Sequence, residues 1–418
     1  MRILYISYFG VQKHLVQTQV VPYLRELAAA GCQVVLLSFE ESTGDRAAAQ
    51  RERERLAKLL TEYGIAWHAL RYHKRPSLPA TIYDVVAGTV YAAGLMLRRR
   101  FDVVHARSHV PAVIALCLKS LFGVRMVFDL RGVMAEEYVD AGRWRQGGIA
   151  YRLTKWTETR ALRSADGIVM LTHNIREALM ERSPELRKRR GDIEIIPCCV
   201  MTDKYHPRLR EPSRKRLGLE DKKVMAYVGS LGSWYMMEAM AQAFAEFRNM
   251  DPSAHFLIIT QSEYELITTP LRALGVPESA YTVMTAPVEE VPGLLIAADF
   301  AISFIQPCFS KRSSSPTKIG EYLAAGLPIL TNAGIGDVDE IVTGEQVGVL
   351  VDGFDPGSYQ AALTAVATLL NDGTIQARCR ETAERRFAMH GVGREGYLRV
   401  YRRLGLQPAG ATASGAGS

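Results

Sequence analysis

The chain has 418 residues, of which 48% are hydrophobic and 23% are charged. This composition is typical of a soluble globular protein and excludes an intrinsically disordered one. A chain of this length exceeds a single hydrophobic core, so we expect two or three domains. Six scattered cysteines form no C-x-x-C pair, which predicts a reducing compartment and no structural zinc.

The net charge is +7, and basic residues cluster at Arg98–Arg100, Arg143–Arg163 and Arg182–Arg190. Such runs are usually solvated faces, but these flank the apolar helix Val85–Leu97, which favours peripheral contact with an anionic membrane or a diphosphate-linked acceptor. Nucleic acid is not expected as a partner, because the sequence shows no nucleic-acid-binding fold and its aromatic residues are not interleaved with the basic ones. The stretch Ile82–Leu97 is too short and too polar to predict a membrane span, and no signal peptide is seen. We therefore expect a cytoplasmic protein, peripheral at the inner face of the membrane.

The first half alternates short β-rich runs with longer helical patterns, which predicts a domain at residues 1–205 with a parallel sheet covered by helices on both faces. The predicted strands are Arg2–Tyr8, Gln33–Ser38, Ala66–Leu70, Val103–Ala106, Arg125–Asp129, Gly167–Leu171 and Ile193–Ile196. The predicted helices are Gln17–Ala30, Arg46–Tyr63, Ile82–Arg100, Pro111–Phe122, Gly148–Ser164 and His173–Glu181.

A linker rich in proline and charge, Pro197–Leu219, precedes a second alternation, which predicts another domain at residues 206–390. Its predicted strands are Lys223–Val228, His255–Thr260, Tyr281–Thr285, Phe300–Ile305, Pro328–Thr331 and Val347–Leu350. Its predicted helices are Tyr235–Asn249, Val288–Ala297, a helix opened by Pro316, Asp337–Val342 and a region from Pro356 to about Leu404. Two doubly wound sheets would place a cleft between their carboxyl edges. The Gly-, Ala-, Ser- and Thr-rich tail at residues 407–418 is predicted to be disordered.

The run SPTKIGEYLAAGLPILTN at residues 315–332 is the most informative part of the sequence. Pro316 and Gly326 bracket a helix that follows a strand and a serine-rich loop. The start of such a helix offers free N–H groups and partial positive charge to a phosphate, beginning at Thr317. Lys318 adds a charge, and Glu321 lies at i+3 on roughly the same face. This spacing suits a nucleoside diphosphate, with phosphates at the helix start and ribose hydroxyls on the carboxylate.

This run resembles the C-terminal signature of the GT-B glycosyltransferases of family 4 (glycosyl transferases group 1), in which a helix of form E-x-x-A-x-G-x-P binds the nucleotide sugar. The resemblance implies an α/β GT-B fold of two Rossmann-like domains facing each other across a cleft, with a last helix at residues 391–406 that crosses back to the first domain. It also implies a retaining transfer of a sugar from a nucleoside diphosphate to a hydroxyl acceptor, without a metal or other cofactor. We expect a glycan or lipid-linked glycan acceptor and a role in polysaccharide or glycoconjugate assembly.

The turn that opens the second domain contains Gly229, Ser230 and Gly232, which would offer backbone amides to the diphosphate. Family members usually carry an Arg and a Lys in this turn, and this chain has Ser230 and Tyr235 instead. The phosphate charge is then left to helix dipoles, Lys318 and neighbouring basic residues. A structural turn without a ligand, in a non-catalytic relative that only binds a nucleotide sugar, is the alternative.

A second departure precedes the signature helix. Many members have a Glu eight residues before the ribose-binding Glu, where it holds the donor sugar, and this chain has Ser313 there. Ser313, Ser314 and Ser315 retain hydrogen-bonding capacity towards sugar hydroxyls, but no carboxylate. This difference leaves room for a nucleotide-sugar epimerase of the same fold.

In the first domain, the loop after the opening strand contains Gly10, which permits close approach of the donor. Lys13 and His14 in this loop are predicted to contact the acceptor, with solvated loop residues as the alternative.

Asp129 ends a buried strand and is followed by Arg131, and His105 lies in the preceding strand. Charged groups at the carboxyl edge of a sheet are expected where a ligand binds. We therefore predict that these three residues are catalytic and face the reacting sugar, while Glu136 contacts the acceptor. The alternative is a buried Asp–Arg pair that holds the loop. No metal-ligand spacing is found.

Overall fold

The computed structural model describes residues 1–41, 46–75, 77–232 and 234–408, which form two compact units. Unit 1 comprises Met1–Pro197 and the chain from Met389 onwards, and unit 2 comprises Cys198–Ala388. The predicted domain boundaries were residues 205 and 390. Residues 409–418, most of the tail that we predict to be disordered, lie outside the described residues.

Unit 1 contains a seven-stranded parallel sheet in the order β3-β2-β1-β4-β5-β6-β7. Its central strands are almost wholly buried, as expected for a parallel sheet that is covered on both faces. The strand order reverses between β1 and β4, where Tyr5 pairs with His105 and Ser7 with Arg107. The strands are β1 (Arg2–Ser7), β2 (Gln33–Glu40), β3 (Ile65–Arg71), β4 (Val103–Arg107), β5 (Arg125–Leu130), β6 (Gly167–Met170) and β7 (Ile193–Ile195).

The helices of unit 1 follow the predicted alternation, with three short helices added that the sequence did not predict: α1, α6 and α9. The helices before unit 2 are α1 (His14–Gln19), α2 (Val21–Ala29), α3 (Arg46–Glu62), α4 (Ser77–Arg98), α5 (His109–Phe122), α6 (Met134–Asp140), α7 (Ile149–Ser164), α8 (His173–Arg182) and α9 (Pro184–Lys188).

Unit 2 repeats the doubly wound arrangement with a six-stranded parallel sheet in the order β10-β9-β8-β11-β12-β13. Its strands are β8 (Lys223–Val228), β9 (Ala254–Ile259), β10 (Tyr281–Met284), β11 (Phe300–Ser303), β12 (Ile329–Asn332) and β13 (Gly348–Val351). Its helices are α10 (Arg210–Leu217), α11 (Met237–Met250), α12 (Tyr264–Ala273), α13 (Val291–Leu295), α14 (Thr317–Ala324), α15 (Val338–Gly344), α16 (Pro356–Leu370) and α17 (Ile375–Phe387). The predicted fold class, two doubly wound Rossmann-like α/β domains, is confirmed.

The segment that we predicted as a linker is partly helical. Helix α10 lies within it, because Arg210 and Arg214 bind a polar corner of unit 2 that precedes β11. Arg210 donates to the carbonyl of Ile296 at 2.9 Å, and Arg214 donates to that of Ala297 at 2.8 Å. Both guanidinium groups also pair with the carboxylate of Asp299. The charge that suggested a solvated linker therefore serves to attach this helix.

The chain returns to unit 1 at its end. A π-helical turn at Met389–Arg394 leads into α18 (Glu395–Arg403), which packs against β6 and β7. Tyr397 and Tyr401 of α18 are fully buried in unit 1. The last helix thus contributes core side chains to the sheet of the first unit.

Candidate functional site

In unit 2 the strand order reverses between β8 and β11, and ligands of doubly wound sheets bind at the carboxyl ends of the strands at such a point. Gly229 follows β8 with φ +107°, a backbone conformation that favours glycine. The chain after β11 leads through a short helical turn at Phe309–Ser313 into α14. Pro316 is the N-cap residue of α14, and the helix begins at Thr317.

The side chain of Lys318 is buried beside the Gly229 turn. Its Nζ donates to the Tyr227 hydroxyl at 2.8 Å and lies 3.6 Å from the centroid of the Tyr235 ring. A Cβ atom on Gly229 would lie 3.4 Å from the same Nζ, in van der Waals contact with the ammonium group. Lys318 forms no ion pair with any carboxylate of the described chain. Burial lowers the pKa of this ammonium group well below its usual value, while the charge of Glu321 acts in the opposite direction.

Glu321 lies one turn further along α14 and is half-buried. Its carboxylate makes no hydrogen bond to any residue that the structure describes. Burial raises the pKa of Glu321 to about 7, and the charge of Lys318 opposes that rise. A carboxylate without an internal partner can accept hydrogen bonds from the hydroxyl groups of a ligand.

The predicted donor-binding serines before α14 have mostly internal contacts. Ser313 Oγ donates to the carbonyl of Ser310 at 2.6 Å, and Ser315 Oγ accepts from the amide of Cys198 at 3.0 Å. The amide of Ser314 donates to the carbonyl of Lys311 at 3.0 Å. The N–H groups of Thr317 and the residue after it lie in the first turn of α14, where an α-helix provides no acceptor. The helix start is therefore better placed than the serine hydroxyls to bind an anion.

The Gly229 turn differs from its predicted role in one respect. The amide of Gly229 donates to the carbonyl of Ile259 at 2.9 Å, so it belongs to the sheet and is not available to a phosphate. Ser230 and Gly232 lie in the same turn, where the Ser230 carbonyl accepts from the Tyr227 hydroxyl at 3.2 Å. Gly229 therefore leaves space in the turn but offers no free N–H group to a ligand.

In unit 1 the structure brings together the three predicted catalytic residues. Tyr397 of α18 donates its hydroxyl to Asp129 Oδ2 at 2.8 Å. His105 Nε2 lies 3.6 Å from that oxygen, and Arg131 Nη1 lies 3.5 Å from Asp129 Oδ1. Arg107 completes the cluster, with Nη1 3.8 Å from Oδ2.

This cluster is closed to a substrate, because the side chains of Asp129 and His105 have no exposed surface. Burial alone would raise the pKa of Asp129, but Arg131, His105 and Arg107 lower it below its usual value. Burial lowers the pKa of His105, whose Nδ1 lies 2.7 Å from the Tyr401 hydroxyl. In place of the predicted catalytic role, the contacts indicate a buried ion cluster that fastens α18 to the sheet, which is the alternative that the sequence left open.

The three predicted residues of the first loop lie in different environments. Gly10 is buried, and a Cβ atom there would lie 2.4 Å from Glu40 Oε2, so this carboxylate occupies the space that the glycine leaves. Lys13 is exposed and pairs with Glu41 at 2.7 Å, and His14 is exposed at the start of α1. Lys13 and His14 therefore have accessible side chains, whereas Gly10 is in contact with its own unit.

Glu136, the predicted acceptor contact, is buried in a chain of ion pairs. Lys155 Nζ lies 2.9 Å from Glu136 Oε1 and 2.5 Å from Glu158 Oε1. His109 Nε2 in turn lies 3.1 Å from Glu158 Oε2. These contacts join α6 to α7 and α5.

The structure also shows a polar group at the carboxyl edge of this sheet that we did not predict. Asp84 of α4 is buried and accepts from the Tyr8 hydroxyl at 2.9 Å. His73, just after β3, has its Nδ1 2.6 Å from Asp84 Oδ1, while 34% of its side chain is exposed. A single acid inside an apolar helix requires a polar partner when it is buried. The position of Asp84 in the sequence could therefore have predicted that it pairs with a nearby residue such as His73.

Among residues 1–41, 46–75, 77–232 and 234–408, no group of three or more His, Cys, Asp and Glu side chains is placed to hold a metal ion.

Comparison with known proteins identifies the family. The descriptions "Glycosyltransferase Family 4" and "Glycosyl transferases group 1" match residues 16–204 and 210–386. The D-inositol 3-phosphate glycosyltransferase of Corynebacterium diphtheriae is 24% identical over 306 residues, which cover 69% of this chain and 67% of that protein. The sucrose-phosphate synthase of Thermosynechococcus elongatus shares the fold, with a TM-score of 0.73 and 15% identity over 96% of this chain and 98% of that one. Anabaena Alr3699/HepE in complex with UDP-glucose gives a TM-score of 0.65 and 16% identity over 95% and 98% of the two chains. The chain therefore belongs to the GT-B glycosyltransferases of family 4, group 1.

Proposed function

We propose that this glycosyltransferase moves a sugar from a nucleoside diphosphate to a hydroxyl acceptor with retention of anomeric configuration. The observation that carries the proposal is the pair formed by Lys318 and Glu321 on α14. Among the residues that the structure describes, the buried ammonium group of Lys318 forms no ion pair, and the carboxylate of Glu321, one turn further along, accepts no hydrogen bond. A diphosphate would be an anionic partner for the Lys318 ammonium group, and ribose hydroxyl groups would donate hydrogen bonds to the Glu321 carboxylate. The UDP-glucose bound to Alr3699/HepE supports a nucleotide sugar as the donor.

Stabilisation of the departing diphosphate is the main catalytic contribution that we assign to unit 2. Negative charge develops on the leaving group as the glycosidic bond to the donor breaks. Lys318 and the N–H groups of the first turn of α14 supply positive charge and donors at one place, and they are already oriented before the reaction. Tyr227 and Tyr235 hold the ammonium group in the free protein through a hydroxyl and a ring face.

The reaction class is tested by donor turnover. The protein is mixed with UDP-, GDP- and dTDP-sugars, with and without a polyprenyl-diphosphate acceptor. Release of free nucleoside diphosphate only in the presence of acceptor supports transfer. A changed sugar without acceptor would instead show an epimerase, and binding without turnover a non-catalytic relative. Transfer without a metal and the role in glycoconjugate assembly stay predictions of the family resemblance, and the cytoplasmic location stays a prediction from the sequence.

The ribose contact predicts a pH-dependent nucleotide affinity. Because burial raises the pKa of Glu321 to about 7, its carboxyl group is largely protonated in the free protein below that pH and accepts hydrogen bonds poorly. The affinity for UDP is therefore expected to increase as the pH rises through about 7. Glu321→Gln should lower this affinity about tenfold above that pH and abolish its share of the pH dependence.

Isothermal titration calorimetry with UDP at several pH values measures this effect. Titration of the nucleotide itself is common to both proteins, so the difference between the wild type and Glu321→Gln reports the carboxyl group together with its effect on Lys318. Glu340→Gln, at an exposed position in the same unit, is the matched control. Equal pH profiles for wild type and Glu321→Gln would remove Glu321 from the donor site.

We further propose that His73 contacts the acceptor. Its imidazole is partly exposed at the carboxyl edge of the first sheet, and the buried Asp84 fixes its orientation. His73→Ala is expected to lower kcat/KM for the acceptor by about tenfold to a hundredfold, while the affinity for UDP stays unchanged. Initial rates at varied acceptor concentration, with His173→Ala as a control on an exposed histidine of the same unit, measure the change. A parallel loss of UDP affinity would show that His73 acts on the fold or the donor instead.

A further inference from the structure

Helix α4 has apolar side chains on two opposite faces. The inner face packs into unit 1, where a Cβ atom on Gly88 would lie 2.8 Å from the Phe39 ring and 2.9 Å from Ile114. The outer face exposes Ile82, Val86 and Val90, which recur every fourth residue with exposed fractions of 53%, 57% and 68%. A helix that is apolar all round normally has its whole surface removed from water. The outer face of α4 is therefore exposed to solvent, although its apolar side chains favour burial.

By length and composition alone α4 is long and apolar enough to cross a membrane, whereas the sequence of Ile82–Leu97 predicts a stretch too short and too polar to do so. The sequence placed the start of the helix at Ile82, but the structure extends it back to Ser77. Its inner face, however, holds the buried Asp84 and packs against the rest of unit 1. A span would remove that face from its unit, so only the outer face is available to a membrane.

The neighbouring helices extend this apolar surface. Helix α4 packs against α5, and α5 packs against α7. On α7 the exposed residues Ile149, Leu153 and Trp156 follow at i, i+4 and i+7, and therefore share one face. Leu121 at the end of α5 is also exposed, with 67% of its surface accessible.

The same faces carry positive charge, and the acids of α4 and α7 are buried. Arg98–Arg100 follow the apolar face of α4 directly and are exposed. Arg152 and Arg160 lie on the exposed face of α7. The single acid in each of these two helices, Asp84 in α4 and Glu158 in α7, is buried. The α4–α7 surface, meaning the exposed apolar and basic side chains of α4, α7 and Arg98–Arg100, is therefore both apolar and cationic.

We propose that the α4–α7 surface binds an anionic lipid bilayer. The apolar side chains would enter the boundary between headgroups and acyl chains, and the arginines would contact lipid phosphates. A second copy of the chain fits this surface less well, because a two-fold contact would oppose arginines to arginines without an acid between them. Bilayer binding is independent of the donor site. The corollary that the acceptor is lipid-linked rests on the function proposed above.

Vesicle flotation tests the proposal. The full chain is expected to bind vesicles of phosphatidylglycerol and phosphatidylcholine, and to bind vesicles of phosphatidylcholine alone much more weakly. Higher salt should weaken the binding. Trp156, with 59% of its surface exposed, should shift its fluorescence to shorter wavelength on binding, and Trp156→Phe should remove most of that shift.

Two sets of variants locate the surface. Val86→Glu with Val90→Glu, and separately Arg98→Gln with Arg99→Gln and Arg100→Gln, should each lower vesicle affinity about tenfold or more. Leu266→Glu with Leu274→Glu is the matched control, because both leucines are exposed on the other unit, at 52% and 43%. Circular dichroism and UDP titration of each variant show that the fold and the donor site are intact.

Three outcomes would overturn the proposal. The first is that the full chain does not bind anionic vesicles. The second is that both sets of variants bind as tightly as the wild type. The third is a concentration-dependent dimer that the Val86→Glu, Val90→Glu variant abolishes, which would identify the surface as a contact between copies. None of these results would alter the UDP affinity, so failure here is distinct from failure of the proposed function.

Discussion

Lys318→Met is expected to lower the affinity for UDP by about tenfold to about 100-fold without destabilising the nucleotide-free protein. A charge-assisted hydrogen bond contributes about 1.5–3 kcal/mol, and each 1.4 kcal/mol corresponds to about a tenfold change in affinity. In the free protein, by contrast, the ammonium group forms no ion pair among the described residues, and burial lowers its pKa, which disfavours the charged form. Methionine fills a similar volume and packs well against the rings of Tyr227 and Tyr235. We therefore expect the free energy of unfolding to stay the same or to rise by about 1 kcal/mol.

Calorimetry with UDP and chemical denaturation of the nucleotide-free protein measure the two quantities. Lys222→Met, at an exposed lysine of the same unit, is the control for loss of one positive charge. If Lys318→Met keeps its UDP affinity but unfolds more easily, Lys318 is a structural residue and the donor site lies elsewhere.

Asp129→Asn is expected to lower the free energy of unfolding by about 3–5 kcal/mol, because it removes the negative charge from a buried cluster that retains two arginines. Arg131 and Arg107 both lie within 4 Å of the Asp129 carboxylate. The lowered pKa of Asp129 gives the sign of the pH effect. The stabilisation is present above the usual pKa of an aspartate and is lost as the pH falls through the lower pKa of the folded state.

Urea denaturation at neutral and at acidic pH measures this change. Tyr397→Phe removes one neutral donor and keeps the charge, so it should cost only about 1 kcal/mol. UDP binding to unit 2 should survive in both variants under conditions in which they remain folded. Unchanged stability of Asp129→Asn together with lost turnover would instead support the catalytic role that the sequence suggested.

The fold was predictable because its signals are local. Strands such as β1 and β8 are short apolar runs, as parallel strands buried on both faces must be, and helical patterns separate them. The helix α14 could be predicted with Lys318 and Glu321 on one face, because all of its signals lie within one segment.

The environment of the site residues was less predictable because it depends on distant parts of the chain. An aspartate at a strand end is compatible with both a catalytic and a structural role. Tyr397, the residue that covers Asp129, follows it by 268 positions. In α4, periodicity showed an apolar helix but could not show which of its two apolar faces is packed. For α10, the positive charge predicted a solvated linker. The carbonyl groups that its arginines bind lie more than 80 residues further along the sequence.

The return of the chain to unit 1 has a consequence for its biosynthesis. When a ribosome has translated all of the first sheet, Asp129 and His105 still lack their tyrosine partners, since Tyr397 and Tyr401 follow the whole of unit 2 in the sequence. Unit 2 is continuous in the sequence and has no such dependence. The second unit can therefore fold on the nascent chain while the buried polar residues of the first unit are still uncovered. A chaperone is then expected to bind the first unit.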